Sequence, residues 1–321
     1  MIPKKLKDLL EKQHYSIFCG HCALQVCRWC KHSLLDEGVC YKEQFYGIKS
    51  HKCCQISPAV AWCQNKCVHC WRPIELSLGS EMKGNLAEPK EIIFNSIQAQ
   101  KKRLTGFKSN KKINMEKWEE AQEPDQFAIS LIGEPLIYPK MIELINELRK
   151  QKKSSFIVTN GLVPERLKEM IDKKVFPTQI YISLNCPNKK MYEEWHKSCE
   201  KDAWKKFNES LGLLKDIRKK GGRTVLRMTL VRDLNMNEKM IDEYVKLIKK
   251  ASPQFLELKS YMAVGYARNR LGYERMPFHE EIKEFAEKLS KKLKMKVLDE
   301  HEFSRVVLLG RKKGDMKISK V

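Results

Sequence analysis

The chain has no apolar run approaching the roughly 20 residues that a membrane-crossing helix needs, which leaves no candidate for a bilayer span. Its first residues, MIPKKLKDLLEKQ, are basic but lack an apolar signal core and a small-residue cleavage site. An exported precursor is therefore not indicated, and a soluble cytoplasmic protein is expected. There is no internal repeat, no low-complexity tract and no heptad pattern, so neither a repeat architecture nor a coiled-coil dimer is suggested. Acidic residues are in short supply. Asp and Glu number 40 against 62 Lys and Arg, leaving a formal charge of +22. Such an excess suits a polyanionic partner. A lysine-rich solvated surface, as in heat-adapted proteins, would carry the same excess, and composition does not separate the two.

Cysteine is what the chain has in abundance. There are twelve, ten of them between Cys19 and Cys70, with Cys186 and Cys199 further on. A disulfide scaffold fits a short secreted chain, not 321 residues without a signal, so the clustered thiols point to metal. Hydrophobic residues make up 42% of the chain, enough for a sizeable core in one large domain or two ordinary ones.

Beyond a cysteine-rich segment, residues 1–58, the pattern alternates between strand and helix. Strands are expected at 59–62, 126–132, 156–158, 179–184, 224–231 and 255–258, with one more at 306–309. Helices are expected at 89–104, 140–150, 164–173, 203–220, 238–250 and 279–293; Pro164 near a start and Gly221-Gly222 after an end punctuate two of them. Strands alternating with helices of this length imply βαβ units and a parallel sheet. About six units are present, fewer than the eight of a full barrel. The expected fold is α/β, a partial (βα)6 barrel over residues 59–321 with a C-terminal extension, preceded by a cysteine-rich N-terminal cap over residues 1–58. In such folds the active site gathers at the C-terminal ends of the strands.

At the end of the first expected strand stands Cys63-Gln-Asn-Lys-Cys67-Val-His-Cys70. Three thiolates on one tight loop can hold three irons of a 4Fe–4S cube and leave the fourth open. A zinc knuckle completed by His69 or a neighbouring cysteine is the competing reading. The C-x-x-x-C-x-x-C spacing resembles the signature of the radical S-adenosylmethionine superfamily. That resemblance implies that S-adenosylmethionine chelates the open iron and is cleaved to a 5′-deoxyadenosyl radical. It also implies roles at other strand ends. Gly133-Glu134-Pro135 resembles the Gly-Gly-Glu element that binds the methionine amino group, with Ile132 in place of the first glycine. Ser183 and Asn185 are candidates for the ribose hydroxyls, and Thr159 and Asn160 for the pocket wall. Ordinary turn chemistry would place the same residues there.

The remaining cysteines admit two readings. Cys27, Cys40 and Cys53 are spaced by thirteen and thirteen residues, as a second cluster would need if the segment folds around it. Cys19-Gly-His-Cys22 and Cys27-Arg-Trp-Cys30 would instead suit a four-cysteine zinc site. The sequence around them, from Gly38-Val-Cys40-Tyr-Lys42 through Tyr46-Gly47 to Ser50-His-Lys-Cys53, and from Ser57 to Trp71-Arg-Pro73, resembles the 4-demethylwyosine synthases. The likeness is strong over 14–73. It continues more loosely to Tyr261-Met-Ala-Val-Gly265-Tyr-Ala-Arg268-Asn-Arg270 and Pro277-Phe-His279.

The resemblance implies a carbon–carbon lyase of tRNA modification with two 4Fe–4S clusters, the second held by Cys27, Cys40 and Cys53. It implies that Lys42 forms a Schiff base with pyruvate, a role that a partly desolvated lysine with a depressed pKa can fill. It implies the substrate, N1-methylguanosine 37 of tRNA(Phe), whose methyl loses a hydrogen, attacks C2 of pyruvate and closes the third ring as the pyruvate carboxyl is lost. A flavodoxin-like domain of the eukaryotic members is missing, so an external electron donor of ferredoxin or flavodoxin type is expected. Cys19, Cys22, Cys30 and Cys54 are extra to the pattern.

A base in an anticodon loop must be splayed out to be reached, with cationic side chains on phosphates and aromatics under bases. Tyr261, Tyr266, Arg268, Arg270 and Tyr273 mix both types after the last barrel strand and are the first candidate for tRNA binding. Lys101-Lys-Arg103, Lys108, Lys111 and Lys112 are the second. A radical enzyme on another substrate, its second cluster relaying electrons, and a non-catalytic zinc-dependent RNA-binding protein are the alternatives.

Overall fold

A computed structural model describes residues 1–318. They fall into two compact units: residues 1–63, 81–157 and 317 onward in the first, 64–80 and 158–316 in the second. No helix among the described residues is long and apolar enough to cross a membrane.

In the first unit a hairpin of β1 (Ser16–Phe18) and β2 (Cys22–Leu24) lies antiparallel against β3 (Cys53–Ser57). Strand β3 then pairs in parallel with β4 (Gln126–Ile129), and β4 with β5 (Ser154–Thr159), Cys53 facing Gln126 and Gln126 facing Ser154. Parallel neighbours need a crossover. The helices Pro89–Leu104 and Met141–Lys150 provide it, the first begun by a proline whose missing N–H costs the first turn nothing. In the second unit β6 (Gln179–Ser183), β7 (Thr224–Leu230) and β8 (Phe255–Ser260) are again parallel and in chain order. β8 is followed in the sheet by β10 (Val306–Gly310) and β9 (Lys296–His301), both antiparallel joints. The strands QFAI and VVLLG are buried at every position, as expected of strands covered on both faces.

Each unit thus holds three parallel strands, β3 to β5 in the first and β6 to β8 in the second, and the α/β class follows the sequence pattern. The first of them differs in place. Ala59–Trp62 is a buried turn and the strand is Cys53–Ser57. An apolar run of four is buried in either conformation, so periodicity could not separate them, and Pro58 has no N–H to continue a ladder. Strand β4 likewise stops at Ile129, three residues early, where the chain bends toward Gly133.

Candidate active site

In the first unit two short helices begin on cysteines. Cys27 caps Arg28–Leu34, its sulfur accepting from the Cys30 amide at 3.3 Å; Cys40 caps Tyr41–Tyr46, its sulfur accepting from the Lys42 amide at 3.4 Å. Cys53 opens β3. The three thiols and the Lys42 ammonium share one electrostatic neighbourhood. Burial pushes the Cys53 thiol well up, the thiols of Cys27 and Cys40 add to it, and Lys42 opposes it. Cys27 is likewise raised by burial and opposed by the Cys30 amide and Lys42. Thiols in so dry a place stay protonated unless a metal charge displaces the proton.

Lys42 is itself buried, its ammonium 5.3 Å from the centroid of the Phe156 ring on β5. The donor set fits an iron–sulfur cluster: soft sulfur ligands, two of them already accepting amide N–H bonds, and one cation against the net negative charge. Around it the loop is braced. The Cys40 amide donates to Ser50 Oγ at 2.8 Å, and the Ser50 amide to the Glu43 carboxylate at 2.8 Å. His51 bridges Ser33 Oγ at 3.2 Å and Glu120 at 2.6 Å, and Lys49 reaches the same carboxylate at 2.7 Å.

The extra cysteines divide into two separate sets. Cys22 hydrogen-bonds with Cys19 and sits by Glu91 and the Pro58 carbonyl; Cys30 lies beside Cys27 and Cys54. Among the described residues no three His, Cys, Asp or Glu side chains converge as ligands of one ion.

The C-x-x-x-C-x-x-C segment passes from the first unit to the second after Cys63. In the first unit, the Glu134 amide donates to the Trp62 carbonyl at 2.8 Å. Gly133, at φ +76, lies so close that a Cβ would collide with the Ala59 carbonyl. The glycine retained from the family element is thus the one that the backbone contact requires. Glu134 is buried, its carboxylate accepting from the Leu136 amide at 3.0 Å.

In the second unit, Arg270 holds the loop of Cys67 and Cys70 by its carbonyls, donating to Val68 at 3.1 Å, to Cys70, and to Arg72 at 3.4 Å. The Tyr266 amide donates to the Trp71 carbonyl at 3.0 Å, and a Cβ on Gly265 would stand 2.5 Å from that oxygen. Trp71 is left 42% exposed beside this contact. His69, the competing zinc ligand, accepts the Trp195 indole N–H on Nδ1 at 2.7 Å, and burial lowers its pKa to about 4.

Thr159 ends β5, its hydroxyl accepting from the Gly161 amide at 3.0 Å; Asn160 donates to Gln64 Oε1 at 3.0 Å. Ser183 ends β6 half-buried, and Asn185 is buried with its side-chain oxygen accepting the Thr229 amide at 3.0 Å. Of the five candidate tRNA contacts, two face inward. Tyr261 is buried, and Arg270 is engaged beneath the cluster loop, because loop carbonyls without ladder partners need a donor. Arg268 and Tyr273 are exposed and 3.4 Å apart, with Tyr266 half-buried. In the second basic group Lys101 pairs with Glu123, and Arg103 donates to Ser16 and the Tyr15 carbonyl.

Residues 58–248 match the radical SAM superfamily, and residues 250–311 match a family described as wyosine base formation. The S-adenosyl-L-methionine-dependent tRNA 4-demethylwyosine synthase of Pyrococcus abyssi is 46% identical over 97% of this chain and 90% of its own length. The chain belongs to the 4-demethylwyosine synthase family. That of Methanocaldococcus jannaschii is 38% identical, covering 96% of each chain. A structure of TYW1 with a lysine–pyruvate adduct bound has a TM-score of 0.86 at 35% identity, covering 99% of this chain and 98% of that one. The chain is thus akin to radical SAM enzymes, and the family resemblance read from residues 14–73 extends over nearly its whole length. Phe156 beside Lys42 in the first unit and Trp195 beside His69 in the second lie outside every motif of the sequence. Each is an ordinary apolar residue made relevant only by what the fold sets beside it.

Proposed function

We propose that this chain is a tRNA 4-demethylwyosine synthase that condenses N1-methylguanosine 37 of tRNA(Phe) with pyruvate, acting in the cytoplasm where that tRNA resides. The observation that carries the reading is a buried lysine, Lys42, set among the thiols of Cys27, Cys40 and Cys53 in a chain whose relatives include a lysine–pyruvate adduct. Cys63, Cys67 and Cys70 hold the first 4Fe–4S cluster; Cys27, Cys40 and Cys53 hold the second, within the segment 1–58. Glu134 takes the amino group of S-adenosylmethionine, and Thr159, Asn160, Ser183 and Asn185 line the rest of its pocket. When bound, the reduced first cluster and S-adenosylmethionine supply a 5′-deoxyadenosyl radical that takes a hydrogen from the methyl of the target base.

The chain's own residues do the rest. Lys42 condenses with the pyruvate carbonyl, which fixes C2 as the point of attack and makes it electrophilic. Phe156 shields that amine from water. After the carbon radical adds at C2, homolysis of the C1–C2 bond expels the carboxyl with the unpaired electron, as the carbon dioxide radical anion, and restores the imine, from which Lys42 is released by transimination to the guanine amino group. Arg268, Tyr266, Tyr273 and the exposed Trp71 receive the anticodon loop, cations on phosphates and rings under bases. Electrons come from a separate protein of ferredoxin or flavodoxin type.

The test is an anaerobic incubation with reductant, S-adenosylmethionine, pyruvate and tRNA whose N1-methylguanosine carries a deuterated methyl. Deuterium found in 5′-deoxyadenosine supports the reading. Undeuterated 5′-deoxyadenosine beside unconverted tRNA contradicts it.

A further inference from the structure

A segment far along the chain reaches back onto the cluster loop of the second unit. Helix Lys189–His196 ends with Lys197 at φ 43, a left-handed turn that sends the chain along that loop. The Lys66 amide donates to the His196 carbonyl at 2.8 Å, and the Val68 amide to the Trp195 carbonyl at 3.1 Å; the Cys199 amide donates back to the Gln64 carbonyl at 2.9 Å. Inside this bracket two side chains follow the backbone. The Trp195 indole holds His69, and His196 Nδ1 lies 2.9 Å from Cys67 Sγ. His196 is 4% exposed, with the Tyr192 ring 4.4 Å away between centroids.

The direction of the last contact is fixed by chemistry. An iron-bound thiolate has no proton to give and can only accept, so the imidazole nitrogen is the donor. A hydrogen bond to a ligating sulfur stabilises negative charge there, and stabilises it more in the reduced cluster, which carries one more electron.

We propose that His196 donates a hydrogen bond from Nδ1 to the Cys67 sulfur and so raises the reduction potential of the cluster that cleaves S-adenosylmethionine. His196 is a positioning residue, since it touches a ligand and not the reacting atoms. The inference rests on the reading that Cys63, Cys67 and Cys70 hold that cluster. It also accounts for the bracket: three backbone bonds fix the distance over which one side-chain bond acts.

The experiment is a redox titration of the holoenzyme, followed by the electron paramagnetic resonance signal that S-adenosylmethionine perturbs, which marks the cluster with an open iron. His196→Phe keeps a ring against Tyr192 and the backbone bracket but removes the donor; its midpoint shifts to more negative potential. His196→Asn, whose amide can stand where Nδ1 stood, returns toward the wild-type value. A wild-type midpoint in His196→Phe overturns the role of His196 alone. Persistence of the perturbed signal in Cys67→Ala overturns the ligand reading and the role with it. Wild-type protein labelled with ¹⁵N-histidine gives a measurement independent of how the variants fold. A weakly coupled imidazole nitrogen on the perturbed signal, lost in His196→Asn, supports the bond, and its absence from the wild type overturns it.

Discussion

The Lys42 ammonium stands 5.3 Å from the centroid of the Phe156 ring on β5, and both side chains are buried. A cation held over an aromatic face is attracted by the ring, and a buried amine in that position can condense with a keto acid. Incubation with labelled pyruvate and borohydride should fix label to the wild-type protein and release it in a single peptide containing Lys42. Lys42→Ala should take up none while still cleaving S-adenosylmethionine. Equal labelling of the variant would place the adduct on another lysine.

Iron content separates the ligand cysteines from the extra ones. Anaerobically reconstituted wild type should hold about eight irons, and Cys27→Ala, Cys40→Ala or Cys53→Ala about four. Cys22→Ser should stay at the wild-type figure, because Cys22 faces Cys19 and the Pro58 carbonyl. Stoichiometric zinc in the wild type that is lost in Cys22→Ser would revive the zinc reading, and a drop in iron would make Cys22 an iron ligand.

Glu120 gives an acid signature. Hydrogen bonds from Lys49 and His51 lower its pKa from 4.5 to about 2. A carboxylate depressed in the folded state contributes stability above its unfolded pKa and loses it as pH falls through the folded one. The gap in melting temperature between wild type and Glu120→Gln should therefore be full at pH 6 and close between about pH 4.5 and 2. A gap independent of pH would mean that Glu120 acts by packing alone.

Arg268 and Arg270 lie two residues apart and should fail differently. Arg270→Ala strips three loop carbonyls of their donor, at about 1–3 kcal/mol for each left buried and unpaired, and should lower cluster retention. Arg268→Ala should leave iron and stability unchanged, weaken tRNA binding and reduce its salt slope by about one. Unaltered tRNA affinity in the second variant would remove Arg268 from the interface.

The strand and helix alternation was legible because strands covered on both faces read as largely apolar runs, as in QFAI and VVLLG. The cysteine spacings and Lys42 were legible because a motif is local. The true first strand was not. CCQIS carries two thiols, which read equally as metal ligands, and the apolar Ala59–Trp62 is a buried turn beside Gly133. The inward turn of Arg270 and the arrival of His196 at Cys67, a separation of 129 residues, depend on tertiary placement that no periodicity encodes.

The most direct measurement weighs the nucleoside product. Reconstituted enzyme would be given reductant, S-adenosylmethionine, uniformly ¹³C-labelled pyruvate and tRNA(Phe) bearing N1-methylguanosine, and the tRNA digested for mass spectrometry. Wild type should give a tricyclic guanosine carrying two labelled carbons, and Lys42→Ala none. A modified nucleoside without label, or labelled product from Lys42→Ala, would contradict the proposed function.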